Sequence, residues 1–242
     1  MSIKEKAKAI VSQEEIMKLL DSAYNKALNG IQPISPPIEE FAGNYLSKYK
    51  TPAIAAKSML NYQIAKCTTS GFLTGFGGAI TLPVTVPANI SSVVYVQMRM
   101  IACTAYMAGF DLKSDQVQTL VYACMAGVAV NNVVKKAGVK FGEKLAEGAI
   151  RKIPGKLLVK INQKVGFRFL TKFGEKGIVN MGKLIPGVGA VINGGFDLVE
   201  TKVIANRAYK MFFEKDFSDG EEIVITDVDF EDVSEEQPME EK

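Results

Sequence analysis

Residues 68–110 read TTSGFLTGFGGAITLPVTVPANISSVVYVQMRMIACTAYMAGF, 43 residues whose single formal charge is Arg99. About 20 apolar residues span a bilayer, so the stretch is long enough to enter one. Pro83, Pro87 and Arg99 nevertheless divide it into pieces shorter than a comfortable crossing, because proline inside a helix removes a hydrogen bond and clashes with the preceding turn. Gly71, Gly75 and Gly78 recur about one helical turn apart and let another backbone approach closely. A second glycine-rich block, PGVGAVINGG at 186–195, is its counterpart. The two blocks are predicted to pack on each other as the dry centre of an all-α protein.

Helix signals surround that centre, and strand alternation is almost absent. Ser12 with Glu15 reads as a capping box for a helix through Leu28, closed by Gly30. Residues 31–37 form a loop in which Ser35 is placed to cap a short segment over 38–49. Thr51 and Pro52 are a cap and a first-turn proline, starting a helix to about Cys67. Pro87 can start a helix over 88–108 that Gly109 ends, and Asp115 with Gln118 reads as the cap of a helix from 116 to about 136. Residues 116–134 carry no charge. The last ordered helix follows Gly195 and runs to about Phe213. The predicted organisation is N-terminal helices over 1–69, a helical core over 70–213, and an acidic, disordered tail over 214–242.

Charge is split along the chain. Residues 135–183 hold 13 Lys/Arg against Glu143, Glu147 and Glu175, a balance of +10, whereas 214–242 hold 13 acids against Lys215 and Lys242, a balance of −11. Within the basic segment cations recur at every fourth residue: Lys136, Lys140, Lys144, then Lys152, Lys156, Lys160, Lys164, Arg168, Lys172 and Lys176. A spacing of four keeps neighbours on one helical face, drifting by about 40° per step. Ile153, Leu157, Ile161, Val165, Phe169 and Phe173 each follow a cation by one residue, which places an apolar face beside the basic one. Amphipathic basic helices of this kind suit anionic headgroups, each cation contributing about 1 kcal/mol near the surface. The ten cations are therefore the candidate lipid-binding residues. A plain solvated face is the competing reading, and nucleic acid is not expected, since the aromatics fall on the apolar side and no binding motif appears. The acidic tail is expected to confer solubility or to fold back on the basic helices in competition with lipid.

Composition removes much chemistry. The chain has 48% hydrophobic and 23% charged residues, which excludes wholesale disorder, and it has no His. Without imidazole there is no Ser/His or Cys/His nucleophile pair and no His-containing zinc site. Cys67, Cys103 and Cys124 are too few and too far apart for zinc, and read as small buried hydrophobes in a reducing compartment. No P-loop spacing is present in either glycine-rich block. No catalytic residue, metal or cofactor is assigned. Arg99 is the sharpest single residue: it either reaches solvent or carbonyl oxygens, or forms a core polar pair with Asp197 or Glu200, which share a helix face at i and i+3. Residues 1–13 have no continuous apolar segment of a secretory signal, so the expected location is the cytoplasm or the cytoplasmic face of a membrane.

The order Gly75-Phe76-Gly77-Gly78, Thr81-Leu82-Pro83, Pro87, Arg99 and Tyr106 to Gly109-Phe110-Asp111 resembles the EcsC family of bacterial proteins. So does Ile185-Pro186-Gly187-Val188-Gly189-Ala190 with Gly194-Gly195 and the helix through Ala208 to Phe212. Family members commonly carry an acid between the two prolines; here Thr85 stands in Val84-Thr85-Val86, so no carboxylate role transfers to this position. The resemblance implies a helical, membrane-associated protein without naming an activity. The expected function is a non-catalytic accessory protein on an anionic membrane surface or a membrane protein complex. One alternative is a membrane-inserting or pore-forming effector using 68–98 and 116–134 as a hairpin. Another is a soluble ligand-binding protein or enzyme with a pocket around Arg99.

Overall fold

The computed structural model describes residues 13–68, 88–136, 150–173 and 189–218, with backbone alone described at 66–68, 88–93, 135–136, 170–173 and 189–200. Every regular element among these residues is a helix, in keeping with the all-α expectation. The first, α1 (Gln13–Asn29), buries Ile16, Leu19, Leu20, Ala23, Tyr24 and Ala27 at the three- and four-residue spacing of an amphipathic helix. Gly30, at φ 75°, closes it as predicted, while Ser12 of the predicted capping box lies outside the described residues.

Ser35 does not cap the next helix. Instead α2 (Ile38–Leu46) starts after Pro37 with no side-chain cap and ends short of residue 49. The Ser35 hydroxyl accepts from the Ile31 amide at 3.1 Å and pairs with the Tyr95 hydroxyl at 2.6 Å. Partners in the loop and across the core outcompete the local helix end for this hydroxyl. The Thr51-Pro52 signal holds: α3 (Pro52–Thr68) opens with the Ile54 amide donating to Thr51 Oγ1 at 3.3 Å.

The apolar helix predicted after Pro87 is α4 (Ala88–Met107), and Gly109 follows it at φ 87°. Every side chain from 94 to 105 is buried, including Tyr95, Met98 and Ile101. A helix buried all round belongs at the centre of a fold. Around α4 pack α1, α2, α3, and two helices still to come, α5 (Asp115–Ala126) and α8 (Gly189–Phe212). The central contact predicted between the glycine-rich blocks cannot be placed, because 69–87 and 174–188 lie outside the described residues.

Two further expectations are corrected in the next segment. Ser114, not Asp115, caps α5, accepting from the Val117 amide at 3.3 Å. The uncharged stretch is also not one helix. Gly127 adopts the left-handed conformation (φ 66°, ψ 37°) and ends α5, and α6 (Val130–Lys136) begins anew. Glycine takes this conformation without a Cβ penalty, and the amides of Gly127 and Val128 then satisfy the carbonyls of Cys124 and Ala123 at 3.2 and 2.8 Å.

In α7 (Gly155–Phe173) the predicted apolar register is observed: Leu157, Ile161, Val165 and Phe169 are buried, as is Ile153 just before the helix. This face packs against α1, α5 and α6. Gly166 leaves room for the Gln13 side chain of α1, since a Cβ there would meet Gln13 Cγ at 2.5 Å; Gln13 Nε2 in turn donates to the Gln163 carbonyl at 2.7 Å. The last helix, α8, begins at Gly189, before the predicted Gly195, and packs on α3, α4 and α5. Beyond it Phe217 is fully buried and its carbonyl accepts from the Asn131 amide at 3.3 Å. Phe217 thus joins the core, and 219–242 of the predicted tail lie outside the described residues.

Candidate functional site

The outer face of α7 carries Lys156, Lys160 and Lys164, all exposed. Beside them Val159 is 56% and Phe167 64% exposed, the two most exposed large hydrophobic side chains described. At about 100° per residue, Val159, Gln163, Phe167 and the three lysines share an arc of about 140°. A helix whose opposite face fills the core therefore offers solvent a mixture of ammonium groups and apolar side chains. Lys152 is exposed in the turn before it. Lys136 and Lys172 lie on α6 and α7 with only their backbone described, and Lys140, Lys144 and Lys176 lie outside the described residues.

Arg168 leaves this series. Three steps of four residues from Lys156 turn about 120° around the helix. Its Nη1 donates to the Ala126 carbonyl at 3.3 Å and to the Gly127 carbonyl, at the C-terminal end of α5. From α8, Arg207 reaches the same helix end: it is 6% exposed, and its Nη1 donates to the Cys124 carbonyl at 2.8 Å. Arg207 Nη2 and Arg168 Nη1 lie 3.1 and 3.2 Å from the position a Cβ on Gly127 would take, so the bare glycine makes room for both guanidinium groups. Cations are favourable at a helix C-terminus, which carries about half a negative charge. One polar atom does not fit that role. Arg207 Nε is fully buried and has no hydrogen-bond partner among the described residues.

Arg99 is used differently. Also 6% exposed, it donates from Nη1 to the Ala27 carbonyl at 2.9 Å and from Nη2 to the Pro36 carbonyl at 2.6 Å, and its guanidinium stacks 4.7 Å from the Phe41 ring. These contacts strap α4 to the end of α1 and to the loop before α2. Arg99 thus reaches carbonyl oxygens, one of the behaviours expected of it. Asp197 and Glu200, the acids of the predicted polar pair, lie on α8 with side chains outside the described ones. Burial pushes the Cys103 thiol, one turn along α4, up to about 12, against the opposing charge of Arg99. Cys103 and Cys124 are both buried free thiols, and Cys67 is described in backbone only.

One more polar cluster joins helices. Asp21 Oδ1 accepts from the Tyr122 hydroxyl at 2.6 Å and from Gln118 Nε2 at 3.0 Å, tying α1 to α5. Burial raises the Tyr122 hydroxyl well above the usual phenol value, which keeps it a neutral donor. Among the described residues no group of three or more His, Cys, Asp or Glu could hold a metal ion. No described helix is long and apolar enough to cross a membrane. The residues that sequence reasoning missed are Arg207, Val159 and Phe167. The drift of 40° per step held the signal for Phe167, which it carries back between the lysines; nothing local marked Arg207.

A family model described as the EcsC protein family matches residues 5–213. No curated protein and no solved structure matches the chain.

Proposed function

The chain belongs to the EcsC protein family, and from that premise we propose that it is a non-catalytic accessory protein docking peripherally on an anionic membrane surface through the outer face of α7. The observation that supports this reading is the mixture on that face: Lys156, Lys160 and Lys164 exposed around Val159 and Phe167. The ammonium groups are attracted to anionic headgroups, and the apolar pair gains by leaving water at the interface. The reading includes a bacterial, cytoplasmic location, basic amphipathic helices flanking a glycine-rich core, and an acidic tail that competes for the basic face. The test is co-sedimentation with vesicles containing an anionic lipid. Replacing the three lysines by Gln should weaken binding by about a hundredfold, at about 1 kcal/mol per cation. Raised salt should release the wild-type protein, whereas binding that survives both changes would overturn the reading.

A second reading, a soluble ligand-binding protein, has its own support in the buried arginines. Arg99 has its Nη groups bound to two carbonyl oxygens, which leaves little of it for a ligand. The donors of Arg207 are less fully used. Insertion as a hairpin has less support, since 116–134 is divided between α5 and α6.

A further inference from the structure

A guanidinium has two edges that bind an oxyanion bidentately, and one of them is the side-on pair Nε–H and Nη2–H. In Arg207 the third nitrogen, Nη1, is committed to the Cys124 carbonyl at 2.8 Å, which anchors the group on the last turn of α5. On the side-on edge, Nε is fully buried without a partner among the described residues, and the hydrogen bond shown for Arg207 is that of Nη1. Capping of α5 accounts for the Nη1 contact and for nothing on the other edge. An orphaned buried donor is destabilising, more so when charged, so its retention asks for a partner. Among the described residues the other buried polar atoms without one, Asn162 Oδ1 and Asn206 Oδ1, are neutral acceptors, which hold a guanidinium less strongly than an anion does.

The surroundings favour an anion over a neutral acceptor. Arg168 brings a second guanidinium to within 3.2 Å of the position a Cβ on Gly127 would occupy, beside Arg207 Nη2. The end of α5 supplies about half an elementary negative charge, less than the full charge Arg207 brings. Arg168 and Ala126 are half-buried at this helix end.

We propose that Arg207, seated on the C-terminal turn of α5 beside Arg168, binds a phosphate-class oxyanion through its Nε–H and Nη2–H edge. The anion is either free phosphate or the phosphate of a lipid headgroup. The side-on N–H pair of one guanidinium matches the spacing of two phosphate oxygens. This deepens the ligand-binding reading and is independent of docking by the outer face of α7.

The experiment is titration of the full chain with inorganic phosphate at constant ionic strength, following the Arg207 Nε–H resonance by NMR, with chloride as the control. A saturable shift with phosphate alone is expected; equal responses to both anions would overturn the proposal. In Arg207→Lys the ammonium keeps the charge and a donor for Cys124 but lacks the side-on pair, so phosphate affinity should fall about tenfold or more. Unchanged affinity in that variant, read by thermal stabilisation, would also overturn it. Vesicles compare the sources. A preference for phosphatidic acid over phosphatidylserine at matched charge, lost in Arg207→Lys, assigns the headgroup; stabilisation by inorganic phosphate without that preference assigns the free ion. The Lys156, Lys160, Lys164→Gln variant should keep the phosphate shift while losing the vesicles, which separates this site from the docking face.

Discussion

Arg99 and Arg207 sit in different corners of one core, each 6% exposed and each donating to a carbonyl in the last turn of a helix, Ala27 of α1 and Cys124 of α5. They differ in what the remaining donors do. Arg99 finds a second carbonyl at Pro36 and an aromatic face at Phe41, while Arg207 leaves Nε buried and unmatched. Burial and charge alone therefore do not distinguish a structural arginine from a receptor; a count of filled and unfilled donors does.

The largest effect should come from breaking the satisfied corner. Arg99→Met leaves two carbonyl oxygens without their charged donor and removes a cation–π contact, so it should cost about 3 kcal/mol in urea unfolding. Arg207→Met removes one such bond and also an orphaned donor, and should cost about half as much in phosphate-free buffer. Equal losses would erase the distinction between the corners.

A smaller effect tests the glycine that both guanidinium groups of the second corner need. Gly127→Ala places a Cβ 3.1 Å from Arg207 Nη2 at a backbone φ of 66°, and should cost about 1–2 kcal/mol. Gly43→Ala is its control. That position lies inside α2 with nothing within 4 Å, so alanine there should stabilise by up to about 1 kcal/mol.

A pH dependence tests the Arg99 side. Cys103 holds its proton more tightly folded than unfolded, its thiol being raised by burial from 9.0 to about 12. Its contribution is complete below pH 9 and is lost as pH rises towards 12. Tyr45, raised from 10.0 to about 12 mainly by burial, adds a loss that starts one unit later. Unfolding followed from pH 8 to 11 should show this decline. In Arg99→Met the upper limit should move higher, because the cation that partly offsets burial at Cys103 is gone. A flat profile to pH 11 would remove the assignment.

Local chemistry made much of the fold legible. Gly30 and Gly109 close helices at positive φ, Thr51 and Pro52 open one, and the series Ile153, Leu157, Ile161, Val165, Phe169 is buried as its register requires. Signals that compete over long range were not legible. Ser35 looked like a helix cap, but Tyr95, sixty positions away, takes its hydroxyl. Gly127 falls inside the single helix predicted from 116 to about 136, and the two arginines that meet over it come from α7 and α8. Arg168 was legible in principle, because a four-residue period cannot stay on one face for more than a few steps. The outer face of α7 was read as basic, yet its apolar half, Val159 and Phe167, emerged only with the fold.

The break at Gly127 also acts as a limiter of length. One straight helix over 116–134 would run about 29 Å at 1.5 Å per residue, close to the 30 Å or so of a hydrocarbon core. The 12 residues of α5 reach only about 18 Å on the same rise. Arg207 on Cys124 and Arg168 on Gly127 are the pins that hold the limiter in place. While they grip those carbonyls, the uncharged sequence over 116–134 stays divided into helices too short to cross lipid.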